Sequence, residues 1–217
     1  GTVMVKDINS GSLSSNLNEF TAIGSTLYFR AMDATNGYEL WKSDGTASGT
    51  VMVKDIRIGS VSSQLNTLTA VGNTLYFRAT DGTNGVELWK SDGTASGTVM
   101  VKDINSGSGS SGISETTAFA NALYFKASDG TNGYELWKSD GTASGTVMVK
   151  DIRSGSSSSG PFQLTAIGNT LYFQANDGTN GIELWKSDGT ASGTVMVKDI
   201  VNAGSNGDPG WLTAVGN

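Results

Sequence analysis

Apolar residues along this chain fall in short runs separated by polar, glycine-rich breaks, and the runs recur on a fixed period. The second period shows four of them: LTAVG from Leu68, TLYFRA from Thr74, VELWKS from Val86 and TVMVKD from Thr98. Each is rich in β-branched and aromatic residues and bounded by Gly, Asn or Asp, which is the pattern of a strand between turns. TLYF, ELW and VMV are nearly continuous in apolar residues, as expected of strands covered on both faces. In the TLYF strand Leu27 and Phe29 face one way and Tyr28 the other. GTVMVKDI begins at Gly1, Gly49, Gly97, Gly145 and Gly193, a period of 48 residues. The stretch ELWKSDGTASGTVMVKDI, starting at Glu39, returns unchanged at Glu87, Glu135 and Glu183.

The links between runs set the order of the strands. One or two residues join LTAVG to TLYFRA, and TDGTNG and DGTASG join the next pairs, all of hairpin length. The link from VKDI to the next LTA is a longer Ser/Gly/Asn segment, as in INSGSLSSNLNE. That length suits a return from the outermost strand of one four-stranded meander to the innermost strand of the next, roughly 14 Å across three strand gaps. LTAVG is therefore the inner strand, TLYFRA and VELWKS the middle pair and TVMVKD the outer strand. The alanines at 22, 70, 118, 166 and 214 fit a crowded hub. The expected fold is all-β, a β-propeller of 48-residue four-stranded antiparallel blades. Complete blades fall at 17–56, 65–104, 113–152 and 163–200 of a single repeat domain spanning 1–217. Residues 1–8 supply an outer strand and 211–216 an inner strand of a fifth, incomplete blade. Five blades is the favoured count; an open array, or one completed by another chain, is the alternative. Unpaired edges of that kind favour self-association.

Composition narrows the chemistry. Thirty glycines against two prolines suit many tight turns. The 14 Lys and Arg are spread evenly through the repeats rather than clustered, and 20 Asp and Glu outnumber them, so no nucleic-acid footprint is expected. There is no cysteine and no histidine, which removes disulfides, thiolate metal sites and the commonest general base. No apolar run approaches the roughly 18 residues of a membrane-spanning helix. Any signal peptide would lie outside these residues.

Two kinds of residue offer candidate sites. The DGTNG turns at Asp81, Asp129 and Asp177, with DATNG at Asp33, are weak calcium candidates. Each offers one carboxylate where calcium takes six to eight oxygens, so an Asp-capped turn is the stronger reading. The SDGT turns at Asp44, Asp92, Asp140 and Asp188 are read the same way. Trp41, Trp89, Trp137 and Trp185 are expected to pack between blades; with Tyr38 and Tyr134 they are also the aromatic candidates for stacking a sugar. Glu39 and Lys42, with their repeats, are expected to be paired or solvated at the blade edge. Variation collects at Arg30, Arg78, Lys126 and Gln174 and in the inter-blade loops, where tolerance is favoured over recognition. No catalytic constellation is visible and no cofactor is implied.

The ELWKSDGT motif at Glu39, Glu87, Glu135 and Glu183 resembles the ELWxxDGT repeat proteins of bacterial secreted and surface proteins, and the resemblance runs through essentially the whole chain. It implies an exported, extracellular or cell-surface repeat protein with no catalytic residues to carry over. The expected function is a non-enzymatic structural or adhesive module. The alternative is a multivalent, lectin-like propeller whose partners are glycans.

Overall fold

Short links between strands leave the chain little choice but to fold each strand back on the one before it. In the computed structural model, which describes residues 1–201 and 204–214, the described residues form 16 strands and no helix. The first sheet is β1 (Asn18–Ile23), β2 (Thr26–Asp33), β3 (Gly37–Ser43) and β4 (Val51–Lys54). The second is β5 (Asn66–Val71), β6 (Thr74–Ala79), β7 (Glu87–Ser91) and β8 (Val99–Lys102). The third is β9 (Ser114–Phe119), β10 (Ala122–Ala127), β11 (Glu135–Ser139) and β12 (Val147–Lys150). The fourth is β13 (Phe162–Ile167), β14 (Thr170–Asn176), β15 (Ile182–Ser187) and β16 (Val195–Lys198). Every sheet is an open antiparallel meander in sequence order, and none closes into a barrel. The arrangement is a β-propeller-like repeat of four-stranded blades.

The chain divides into two compact units. One holds Gly1–Asp103 and Gly107–Ser110 with the first two blades; the other holds the last two. Inside each unit the first strands of the two blades adjoin, β1 against β5 and β9 against β13. The strand before each hairpin is thus the inner one.

Register pairing puts Phe29 opposite Trp41 and Tyr28 opposite Lys42, so each blade has two different faces. One presents Tyr28, Leu40, Val53 and Ile56, and the facing side of the second blade presents Leu65, Leu75, Phe77, Ala79 and Trp89. The other unit repeats this with Tyr124, Leu136, Val149 and Ile152 against Leu164, Leu171, Phe173, Ala175 and Trp185. Burying a large apolar side chain contributes about 1.5–3 kcal/mol, so these blade interfaces are the principal cores.

Inside each inner strand the pairing slips, between Asn18 and Thr21 and at the matching places in β5, β9 and β13. Glu19, Thr67, Glu115 and Gln163 sit at the slips with φ of 56, 58, 54 and 55°, a bulge formed by a left-handed residue. The bulge lets Glu19 accept a hydrogen bond from the Thr67 amide at 2.8 Å, and Glu115 one from the Gln163 amide at 2.8 Å. Thr21 and Thr117 hydroxyls donate to the Leu68 and Leu164 carbonyls at 3.0 Å. The alanine register is mixed: Ala22 and Ala118 are exposed, while Ala70 and Ala166 are half-buried and Ala166 packs against the core of its unit.

The chain ends differ from expectation. Residues 1–8 form no strand, and Val3 and Met4 are 81% and 79% exposed. No neighbouring strand pairs with their backbone, yet the outer-strand position is kept. Lys6 donates to the Thr50 carbonyl at 2.7 Å, as Lys54 does to Thr98 and Lys150 to Thr194. Residues 211–214 likewise form no strand; residues 215 and 216 of the expected inner strand lie outside the described residues.

The DGT turn locks neighbouring blades. A Cβ on Gly93 would stand 2.3 Å from the Tyr28 hydroxyl, and one on Gly189 would stand 2.2 Å from that of Tyr124. Gly45, the first copy, meets nothing within 4 Å. All three have φ near +90°. Gly93→Ala should therefore cost about 1–3 kcal/mol from strain plus collision, and Gly45→Ala only the strain. Urea unfolding should show Tyr28→Phe recovering part of the Gly93→Ala loss and none of the Gly45→Ala loss; equal losses at both glycines would contradict this lock.

Candidate functional site

The repeated glutamate of ELW occupies an unexpected place. Glu39, Glu87, Glu135 and Glu183 are each 0% exposed, not solvated at the blade edge. Strand alternation puts Glu39 on the same face as Trp41, where the chain leaves the outer strand for the next blade. Glu39 accepts hydrogen bonds from the amides of Ile56 and Ser63, both at 3.0 Å. Glu135 accepts from Ile152 at 2.9 Å and Ser159 at 2.8 Å, and Glu183 from Ile200 and Gly207 at 2.9 Å. Each carboxylate thus gathers two amides of the crossing loop, the residues whose backbone no strand can satisfy. The Ser63 hydroxyl donates to the Tyr38 carbonyl at 3.1 Å, and the Ser63 carbonyl accepts from Thr80 in the next blade at 2.8 Å.

Burial pushes the Glu39 carboxyl up to about 7 against the pull of its amide donors, with Asp55 adding to the rise. Burial likewise raises Glu135. The lysine expected beside Glu39 reaches elsewhere. Lys42 donates to the Gly93 carbonyl and Lys138 to that of Gly189, each at 2.8 Å. Both bonds cross to the DGT turn of the following blade.

The calcium candidates are engaged by donors. Asp33 accepts from the amides of Thr35 at 2.8 Å and Asn36 at 2.6 Å, and its second oxygen from the Asn36 side chain at 2.9 Å. Asp81, Asp129 and Asp177 repeat the pattern on Asn84, Asn132 and Asn180. Partial burial acts to raise these four carboxyls, but the N–H donors outweigh it and hold them below the usual 3.8. These donors engage both oxygens of each carboxylate, and a cation there would compete with them. In the SDGT turns Asp44 accepts from the Thr46 hydroxyl at 2.7 Å and its amide at 2.9 Å. That carboxylate lies against Gly49, where a Cβ would be 2.0 Å from Oδ1, so a side chain at 49 would have to push the carboxylate off its Thr46 donors. Behind it the Ser43 and Thr50 hydroxyls pair at 2.7 Å, and Thr50 donates on to the Thr46 carbonyl at 2.7 Å.

The aromatic candidates divide. Trp41, Trp89, Trp137 and Trp185 are 5–7% exposed; Trp89 and Trp185 pack in the blade interfaces, with Lys54 and Lys150 about 6 Å from their ring centroids, and Trp41 packs against Phe29, Ala31, Ile8 and Met52. They leave no ring face for a sugar. Tyr38 lies under the Arg30 guanidinium, 4.8 Å from its ring centroid, while Tyr134 is 40% exposed. Arg30 also donates to the Leu65 carbonyl at 3.1 Å, and Gln174 donates to Pro209, 35 residues on in both cases. The variable residue after TLYF is in every copy a side chain that can donate (Arg30, Arg78, Lys126, Gln174). The inter-blade serines are similarly fixed: Ser62, Ser110 and Ser158 accept from the amides of Tyr38, Val86 and Tyr134 at 2.9–3.0 Å.

Sequence reasoning passed over one surface. A cavity of about 610 Å³ opens over β9, β13 and the chain near Leu212, lined by Glu115, Thr117, Phe162, Gln163, Thr165 and Trp211. Phe162 is 44% and Trp211 91% exposed. Trp211 stands where the other copies carry Glu19, Thr67, Glu115 and Gln163, and that break in the repeat was the available signal.

No family model matches the chain, and no curated protein matches it. Among solved structures, a mutant puromycin hydrolase complexed with PGG is similar over 81% of this chain and 27% of its own, at 16% identity and a TM-score of 0.52. The computationally designed Ika8 protein is similar over 93% of this chain and 54% of its own, at 16% identity and TM-score 0.48. A putative TolB from Agrobacterium tumefaciens is similar over 88% and 68%, at 12% identity and TM-score 0.49. The chain thus spans about half of the designed protein and about a quarter of the hydrolase. The hydrolase likeness fits a β-propeller-like fold and bears on fold alone.

Glu39 gives stability a pH dependence of definite sign. Its folded value of about 7 lies above the usual 4.5, so its contribution is full below pH 4.5 and is lost as pH rises through about 7. The four lowered aspartates act in the opposite sense, losing their contribution as pH falls below about 3.8. Urea unfolding of the chain and of Glu39→Gln from pH 4.5 to 7.5 should show the decline flattened in the variant. At pH 4.5, where Glu39 is protonated, the variant should also be less stable by about 1–3 kcal/mol, because the hydroxyl oxygen of the acid can still accept an N–H and the amide nitrogen cannot. A decline of equal slope in both proteins would remove Glu39 as its source.

Proposed function

We propose that the chain is a non-enzymatic structural and adhesive repeat module of the ELWxxDGT kind, working at the bacterial cell surface or outside it. The observation that carries this reading is the occupation of the repeated polar residues. The carboxylates of Glu39, Glu135 and Glu183, the turn aspartates and Lys42 and Lys138 are committed to hydrogen bonds that hold blades and loops in place. A general base or nucleophile must instead reach a substrate. The extracellular setting rests on the resemblance of ELWKSDGT, in four copies, to exported repeat proteins.

A second reading, carbohydrate binding, is favoured by the exposed Trp211 and Phe162 beside the cavity over β9 and β13. It differs from the symmetric lectin expected from the repeat, since Trp211 belongs to one copy alone and the repeated indoles are buried.

Cell fractionation tests the setting: the chain should appear in the medium or at a protease-accessible surface, and recovery solely from the cytosol would overturn it. On a glycan array the adhesive module should give no sugar-specific signal. A signal abolished by Trp211→Ala would replace the first reading with the second.

A further inference from the structure

The outward face of the last blade repeats a surface that is covered elsewhere in the chain. On the first and third blades Tyr28 and Tyr124 are 7% and 3% exposed, Leu40 and Leu136 are 0%, and Ile56 and Ile152 are 5% and 8%. On the fourth, Tyr172 and Leu184 are half-buried, Val197 is 44% exposed and Ile200 49%. A cavity of about 220 Å³ lies on this face, lined by Thr165, Ile167, Tyr172, Leu184, Leu212 and Thr213.

Its rim is already prepared. The Thr165 hydroxyl donates to the Leu212 carbonyl at 3.4 Å, as Thr117 does to Leu164, and the Leu212 amide donates to Gln163 Oε1 at 3.0 Å, as the Gln163 amide does to Glu115. Residues 211–214 therefore lie where an inner strand lies, but pair with no strand on their far side. Two cations wait in the same way. Lys186 and Lys198 are exposed and have no hydrogen-bond partner among the described residues, whereas Lys138 reaches the Gly189 carbonyl and Lys150 the Thr194 carbonyl.

We propose that this face is a docking site for a further hairpin of the same repeat, a Leu-Tyr-Phe strand and a Glu-Leu-Trp strand joined to a DGT turn. The interface between the third and fourth blades supplies the argument, for there the same face is covered by Leu171, Phe173, Ala175 and Trp185. The hairpin's first strand would add to the free edge at Leu212 and Thr213, as β14 adds to β13. Its DGT glycine would receive the Tyr172 hydroxyl, and the carbonyls of that glycine and of the threonine opening the next strand would take Lys186 and Lys198. Occupation of the face is independent of adhesive function.

The probe is a peptide with the sequence of residues 170–198, TLYFQANDGTNGIELWKSDGTASGTVMVK, carried on a soluble fusion partner and added to the intact chain. It should bind one to one and raise the Tm by about 3 °C or more at saturation. Val197→Asp in the chain should weaken binding about tenfold or more, with far-UV circular dichroism unchanged because that position is already open. A peptide carrying Gly189→Val should fail, its side chain meeting the tyrosine. Absence of binding, or binding indifferent to both substitutions, overturns the proposal. Sedimentation of the chain alone should show a monomer; a dimer that the peptide dissociates would put a second copy on this face in place of a free hairpin, and would also overturn it.

Discussion

A meander that ends at its outer strand must carry the chain back across the whole sheet before the next blade can begin, and the residues making that crossing have no strand to pair with. The buried glutamate resolves this constraint. In Glu39, Glu135 and Glu183 a single carboxylate collects one amide where the crossing starts and one where it ends. An ionisable group enclosed this way is costly unless its hydrogen bonds are complete; here burial raises Glu39 even against its donors. The serine that donates to it passes the connection on: Ser63 holds Glu39, Tyr38 and Thr80 at once.

The blade architecture was legible because its determinants are local. Run length, hairpin links and the 48-residue period specify four strands in meander order, and the structure has that order in all four sheets. The burial of the indoles followed from continuous apolar runs. The role of Glu39 did not, because a charged residue between apolar neighbours reads as an edge residue unless the crossing loop, 17 to 24 residues later, is known to return to it. The destination of Lys42, 51 residues ahead, was hidden for the same reason. The inner-strand bulges left almost no trace, since Glu19, Thr67, Glu115 and Gln163 are not residues that favour positive φ. Three residues earlier the trace was present: Asn16, Gln64, Gly112, Gly160 and Asp208 all have positive φ, and four of the five are residue types suited to it.

As for a candidate site, the motifs with the strongest chemical appearance are engaged within their own turns. The Asp of each DGTNG turn and the Asp of each SDGT turn bind their own loops, and serines of the crossings accept from the strand that opens the outer hairpin. The surface that breaks the repeat, at Trp211, was the less conspicuous feature in the sequence. Four equivalent copies advertise packing, whereas asymmetry marks where something else can happen.

The tyrosine lock has a consequence for how such a chain changes over time. Tyr28 meets Gly93, and Tyr124 meets Gly189, so the two halves of each contact are encoded in consecutive copies of the motif. A substitution in one copy is judged by its neighbour, and a compensating change must arise in a different copy from the first. A duplicated unit would arrive carrying both halves of the contact, its glycine for the tyrosine before it and its tyrosine for the glycine after it.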